Sequence, residues 1–341
     1  TPRDQRARLK QLLAAGRLQL VVGTHALIQE DVKFKELSLV ITDEQHRFGV
    51  RQRTLLGAKG VNPDVLVMSA TPIPRSLALT LFGDLDISVL TELPPGRKPV
   101  RTYWRPTARR PQVYAFVAQE LARGRQAYVV CPLVEESSRL AASAVTVWAE
   151  EIKKHLPGCR VGIMHGRLSA AEKEATMAAF RRGEIQVLVS TTVIEVGIDV
   201  PNASVLVVED ADRFGLAQLH QLRGRIGRGP HEAYCILLAD PTSAQARRRL
   251  ELLTRCQDGF RLAEADLRLR GPGEFLGTRQ HGLPPFRHAD PLRDYRLLRA
   301  AREEAARILT ADPELRREEY RLLRELVTAQ YGELWQLVLS G

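Results

Sequence analysis

Four polar residues follow one another directly behind an apolar run: LSLVI (37–41) leads through Thr42 into Asp43, Glu44, Gln45 and His46. A carboxylate at the end of a buried strand can hold Mg²⁺ through water, and a neighbouring carboxylate can orient or deprotonate an attacking water. Read alone, the pair serves equally as a helix N-cap and a first-turn acid, so its neighbours matter. A second apolar run, DVLVM (64–68), ends in SATPIPR, Ser69 to Arg75. Ser69 and Thr71 can relay hydrogen bonds between a nucleotide site and another surface, or act as a simple cap before a proline at the helix start. An earlier run, LQLVV (18–22), leads into GTHAL. There Gly23, Thr24 and His25 can offer backbone N–H groups and a hydroxyl to a phosphate; a turn and cap is the plainer alternative.

The pattern recurs downstream. STTVIEVGIDVPN (190–202) follows another apolar run with hydroxyls, a Glu, a Gly and an Asp. QLHQLRGRIGRG (218–229) places Gln221, Arg223, Arg225 and Arg228 within eight residues, with glycines at 224, 227 and 229. If 218–223 is helical, Arg225 and Arg228 lie at or beyond its end. Guanidiniums this close repel unless they meet anions, and the glycines let the backbone approach a ligand.

These groups need strand ends to hold them. Eight short Val/Leu/Ile-rich runs read as buried strands: 18–22, 37–41, 64–68, 126–130, 160–164, 185–189, 204–208 and 233–238. Their lack of alternation suits parallel strands covered on both faces. Segments such as AEKEATMAAFRRG (171–183) between them carry apolar residues at helical spacing with a closing Gly. The expected class is therefore α/β. LPPGRKP (93–99) reads as a linker. After residue 240 the pattern turns helical, apart from the Gly/Pro-rich RGPGEFLGTRQHGLPPF (270–286), a loop too long to be idle.

The chain has 341 residues and a formal charge of +10, which fits a phosphate-rich partner. Cys131, Cys159, Cys235 and Cys256 are scattered without CxxC spacing, so buried thiols are expected rather than zinc or disulfides. No apolar run is long enough to span a membrane. The opening TPRDQRARLK has neither an initiator Met nor an apolar core, which reads as a start inside a longer protein.

The ordered set VVGTHAL, DEQH, SATPIP, TTVIEVGIDVPN and QLRGRIGRG resembles the motifs of superfamily 2 nucleic-acid translocases. With DEQHRFGVRQR, LPPGRKPV, VVEDADRFGLAQLHQLRGRIGRG and DLRLRGPGEFLGTRQHG added, the chain resembles the RecG family across nearly its whole length. The resemblance implies two RecA-like lobes with mainly parallel sheets, the first truncated, then a helical hairpin and loop that drive translocation, and C-terminal helices. The implied boundaries are 1–95, 96–255 and 256–341. It implies ATP and Mg²⁺ as cofactors, with Asp43 and Glu44 at the metal and Gln45 and His46 coupling nucleotide state to DNA through Ser69 and Thr71. Glu195, Gly197, Asp199 and Gln221 would serve the nucleotide, and Arg225 and Arg228 its γ-phosphate, Arg228 being the better finger. Thr24, His25, His165, Thr191 and Thr192 would meet or sense DNA. Arg270 and Gln280 match the distinctive residues of the translocation loop, which Glu274 would help to hold.

The implied partner is branched duplex DNA (forks and Holliday junctions), acted on by a monomeric, cytoplasmic, nucleoid-associated bacterial protein. The phosphate loop G-x-x-x-x-G-K-[ST] has no counterpart here, since the sequence contains no Gly-Lys pair. The family places that loop, and a wedge domain, upstream. Two alternatives stand beside this expectation: a transcription-repair coupling translocase, and a duplex-DNA-binding module that does not hydrolyse ATP.

Overall fold

The computed structural model describes residues 3–29, 31–43, 60, 63–69, 86, 88–90, 92, 97–132, 138–191, 200–270 and 294–329. The chain divides into two compact units, one from residues 1–71, 76–86 and 279–341 and one from 72–75 and 87–278.

In the first unit, helix α1 (Arg3–Ala14) precedes a short 3₁₀ turn (His25–Leu27) and two parallel strands, β1 (Leu39–Thr42) and β2 (Asp64–Val67). They pair from Leu39 with Asp64 to Thr42 with Val67. Leu13, Val32 and Val40 are buried, whereas Leu39, Ile41, Val65 and Leu66 stand exposed. The run 18–22, expected to be a strand, forms no ladder. Leu20 and Val22 are 81% and 88% exposed: apolar composition favours a strand only where a neighbouring edge and a covering layer are available.

The second unit is built on a six-stranded, wholly parallel sheet. Its strands are β3 (Arg101–Arg105), β4 (Gln126–Val130), β5 (Val161–Met164), β6 (Val187–Ser190), β7 (Ala203–Val208) and β8 (Tyr234–Leu238), in the spatial order β3-β8-β7-β4-β6-β5. Successive side chains leave a strand on opposite faces, and both faces are covered. Tyr128, Val130, Leu188, Leu206, Val208 and Leu237 point to one core. It is closed by α4 (Ala170–Arg181), α5 (Leu216–Arg223) and α6 (Ala244–Arg255) through residues such as Phe180, Leu219 and Leu250. Ala127, Val129, Val189, Val205 and Val207 point to the other, closed by α2 (Arg110–Ala122) and α3 (Ser138–His155) through Val117, Val145 and Ile152. Each such buried aliphatic side chain contributes about 1.5–3 kcal/mol. Two-sided burial is why these strands lack polar alternation. Helix α4 starts at a capping box: Ser169 Oγ accepts from Glu172 N at 3.2 Å, and the Glu172 carboxylate accepts from Ser169 N at 2.7 Å.

Strand β3 falls outside the eight apolar runs. RTYWR alternates exposed with half-buried residues because β3 is an edge strand, paired among the described residues with β8 alone. Trp104 turns inward, its indole N–H donating to Ala239 O at 2.9 Å, while Arg101 and Arg105 stay exposed. The expected helices after residue 240 appear as α6, α7 (Gly259–Arg270) and α8 (Tyr295–Ala311). Cys131 and Cys235 are buried thiols, Cys159 and Cys256 are half-buried, and none is in a disulfide.

Candidate active site

In the first unit the parallel register levels the two strand ends. Thr42 pairs with Val67, and Met68 N donates to Thr42 O at 2.7 Å. Asp43, just beyond β1, and Ser69, two residues beyond β2, therefore emerge side by side at one carboxyl edge, both exposed. Thr24 is exposed and its carbonyl closes the 3₁₀ turn by accepting from Leu27 N at 3.0 Å; His25 opens that turn. Glu44, Gln45, His46 and Thr71 lie outside the described residues, as do Thr192, Glu195, Gly197, Asp199, Glu274 and Gln280. Arg270 is the last residue of α7.

The second unit has two polar edges. At its carboxyl edge, Val130, Met164 and Val208 are in register with Ser190 or with one another across β4 to β7. Cys131, His165, Thr191 and Glu209 consequently follow at one level. His165 is half-buried, with a buried Nδ1 that meets no partner among the described residues. Thr191 is 1% exposed, and its carbonyl accepts from Ser190 Oγ at 2.7 Å. A contact from the Thr191 side chain to a ligand therefore requires a change in its surroundings.

The arginine-rich turn lies at the opposite, amino edge. Helix α5 ends at Arg223, and Gly224 caps it. Beyond it the turn packs against segments that lead into three strands. Gly227 has φ +74°, and a methyl group there would meet Val100 at 3.1 Å and Ala233 at 3.3 Å. A methyl group on Gly229 would stand 2.3 Å from the carbonyl oxygen of Pro201, two residues beyond Asp199. The glycines thus let this turn lie flat against the strand starts. Arg225 is half-buried and Arg228 exposed, with Arg228 Nε donating to Gly224 O at 3.3 Å. Gln221 is half-buried on α5.

Arg223 departs from the sequence expectation that it joins its neighbours in facing an anion. It is 4% exposed and turned inward. Nη1 donates to Leu253 O and Cys256 O, both at 2.9 Å, and Nη2 donates to Gln257 O at 3.2 Å. Its charge thus answers the carbonyls at the end of α6, where the helix dipole is negative. Arg223 Nη2 also lies 3.0 Å from His220 Nδ1. Because guanidinium only donates, His220 accepts there and is neutral. Burial first, and then the Arg223 charge, hold its pKa down to about 4.

Sequence reasoning missed a second buried cluster, at the crevice between β4 and β7. The chain's path across the sheet reverses there, the place where open α/β sheets hold ligands. Here the crevice holds protein groups. Glu209, wholly buried, accepts from Arg110 Nη2 at 2.9 Å, from Arg110 Nε at 3.2 Å and from Tyr114 Oη at 2.8 Å. Arg110 lies over the Trp148 ring at 5.2 Å, and Tyr114 stacks on His155 at 5.4 Å. Burial, then the Glu209 charge, push the Tyr114 phenol and the Cys131 thiol well above their ordinary ranges, so neither ionises near neutrality. The signal was the ED pair closing VVED (207–210), an acid straight after the apolar run VLVV (205–208).

Three family models match the chain: DEAD/DEAH box helicase over 1–80, the helicase conserved C-terminal domain over 112–230, and RecG domain 3, C-terminal, over 256–331. The chain is 52% identical over 322 residues to the ATP-dependent DNA helicase RecG of Bacillus subtilis, covering 94% of this chain and 47% of that protein. It is 55% identical over 309 residues to the RecG of Thermotoga maritima, covering 90% and 40%. The chain belongs to the RecG family. A RecG structure bound to a three-way DNA junction superposes with a TM-score of 0.65 at 50% identity, covering 87% of this chain and 38% of that one. The α/β class and RecA-like architecture agree with that match. The chain thus spans about half or less of the length of these RecG relatives. Within the RecG match, the described elements place Asp43 with Ser69 at one edge, His165 with Thr191 at another, and Arg225 with Arg228 on one glycine-rich turn.

Proposed function

We propose that this chain belongs to the motor of an ATP-driven translocase that moves on branched duplex DNA and remodels stalled forks and Holliday junctions. The observation that carries the reading is the two-edged sheet of the second unit. Arg225 and Arg228 stand at the strand starts; His165 and Thr191 stand at the strand ends. A five-residue strand such as β4 separates the edges by roughly 16 Å. Ser190 ends β6 at one edge, and Pro201 lies against Gly229 at the other. A rigid sheet with phosphate-seeking groups at one edge and DNA-facing groups at the other can convert the loss of a phosphate into a displacement of DNA. The relatives' printed names, the neighbour bound to a three-way junction and the net charge of +10 support this reading.

The donor set suits the implied cofactors. Mg²⁺ is normally held by one or two carboxylates together with substrate phosphates, not by an all-protein cage. Asp43 offers one exposed carboxylate at a strand end, and Glu44 follows it in sequence. Among the described residues no larger cluster of His, Cys, Asp and Glu gathers. In this reading Asp43 holds Mg²⁺, Glu44 orients water, Gln45 and His46 pass the nucleotide state to Ser69 and Thr71, and Arg228 meets the γ-phosphate with Arg225 beside it. Bound Mg²⁺ would neutralise charge on the β- and γ-phosphates. Glu195, Gly197, Asp199 and Gln221 line the nucleotide. Thr24, His25, His165, Thr191 and Thr192 face DNA, and Arg270 and Gln280 belong to the translocation loop. Residues 1–95 and 96–255 are the two lobes' contributions, and 256–341 the translocation element and closing helices.

Among the described residues no helix is long and apolar enough to cross a membrane. We place the protein in the bacterial cytoplasm on the nucleoid, as a monomer. The match to RecG domain 3 over 256–331 favours this reading over a transcription-coupled translocase.

The test is ATP hydrolysis by the full-length gene product with forked and with linear DNA. Turnover should rise on forks. Arg228→Ala should lower kcat by about 10³-fold or more, the usual worth of an arginine finger, with fork binding retained in a mobility-shift assay. Parallel loss of hydrolysis and binding would refute the assigned role. The 341-residue chain alone, which lacks any Gly-Lys pair, should hydrolyse ATP negligibly.

A further inference from the structure

We infer that Arg97, in the segment that leads into β3, is a positioning residue for Arg228. The inference rests on the proposed role of Arg228 and adds the device that sets its geometry. Gly224 caps α5, so its carbonyl belongs to the helix end, where acceptors lack intrahelical donors and the dipole is negative. Two guanidiniums share that oxygen. Arg97 Nη2 donates at 3.1 Å from a part-buried position, and Arg228 Nε donates at 3.3 Å from an exposed one. A carbonyl has two lone pairs and accepts both. The exposed bond is the one that yields when an anion draws the Arg228 side chain away. The part-buried one stays and keeps the oxygen satisfied. Without Arg97, the swing of Arg228 would leave a helix-end acceptor without either guanidinium, and release would cost more.

Arg97 does not act from a loose tether. Val100 is 8% exposed and belongs to the same core as Leu222 and Ile226. Val100 O accepts from Gln257 Nε2 at 3.3 Å, and Arg101 N donates to Ala233 O at 2.9 Å. The Val100 side chain and the Lys98 carbonyl both lie within 4 Å of a methyl group placed on Gly227. Residues 97–101 therefore form the bed of the arginine turn. The Arg97 charge also contributes to the lowered pKa of His220, one turn back along α5. Its field thus reaches the end of α5, where it repels the Arg228 guanidinium and favours its outward swing towards an anion.

The experiment measures kcat and KM for ATP at saturating forked DNA, on the full-length protein, for wild type, Arg97→Ala and Arg97→Lys, with fork affinity and thermal midpoint recorded for each. Arg97→Ala should lower kcat about ten-fold, the worth of one charge-assisted hydrogen bond, with KM for ATP within about two-fold and fork affinity and midpoint unchanged. Arg97→Lys, which keeps a donor and the charge, should recover most of the loss. A kcat for Arg97→Ala within two-fold of wild type overturns the inference. So does a fall that tracks lost fork binding or a lowered midpoint and that lysine fails to rescue. A wild-type protein that hydrolyses no ATP on forks would instead overturn the proposed function, and this inference with it.

Discussion

Replacing Arg223 by methionine isolates what a buried guanidinium does at the end of a helix. The substitution keeps an unbranched side chain of similar length and removes every donor. Three carbonyls then lose a partner. Leu253 is buried, Cys256 half-buried and Gln257 exposed, so water can replace the guanidinium fully only at the last. A buried acceptor left unmade costs about 1–3 kcal/mol. One such site and one partial site give about 2–4 kcal/mol. Part of this is returned, because burial already disfavours the charged guanidinium and lowers its pKa. The expected net loss is therefore about 2 kcal/mol in urea unfolding. Arg223→Lys, with a compact head that reaches fewer of the carbonyls, should lose about half as much. The second readout is His220: with the neighbouring charge gone, its pKa should rise from about 4, measurable by NMR titration. A methionine variant within 0.5 kcal/mol of wild type, with His220 unmoved, would refute the capping account.

The same histidine makes stability depend on pH. Its folded pKa of about 4 lies below the ordinary 6.5, so between those values the unfolded chain binds a proton that the folded one refuses. The stabilisation is complete above about pH 6.5 and is lost as pH falls towards 4, with an upper size of about 3 kcal/mol. Urea midpoints for wild type and His220→Gln should converge across that window, and parallel curves would refute the assignment. Gly229→Ala should cost about 1–3 kcal/mol, because its methyl group would stand 2.3 Å from a carbonyl oxygen in rigid backbone. A thermal midpoint equal to wild type would show that the turn can move away from Pro201.

Where burial is two-sided, the elements could be read in the residues. The run 126–130 coincides with β4, and the other runs of the second unit fall within two residues of their strands at each end. The central strands need an unbroken apolar run, and composition supplies it directly. Strand β3 escaped because an edge strand needs only half of that pattern. The run 18–22 misled for the converse reason: its composition suits a strand, but no ladder forms beside it. At the site, type and spacing located Arg225 and Arg228 beyond a helix end, and the structure places them there. Direction was not legible. Arg223 lies two residues from Arg225 yet faces the interior, because 3.6-residue periodicity turns it towards the end of α6, a neighbour about 30 positions along the chain. The Arg110–Glu209 pair was hidden for the same reason, its partners lying 99 positions apart.

One of the two outermost strands of the large sheet, β3, also bears on how the molecule behaves at high concentration. A bare row of main-chain donors and acceptors invites another molecule's strand to dock, the first step of fibre growth. Along β3 the sequence sets an arginine at each end, both exposed. A second copy approaching that border in register would have to bring its own arginines alongside them. The guanidinium pair acts as a fence: it leaves the strand open to solvent while discouraging self-association through its outer rim.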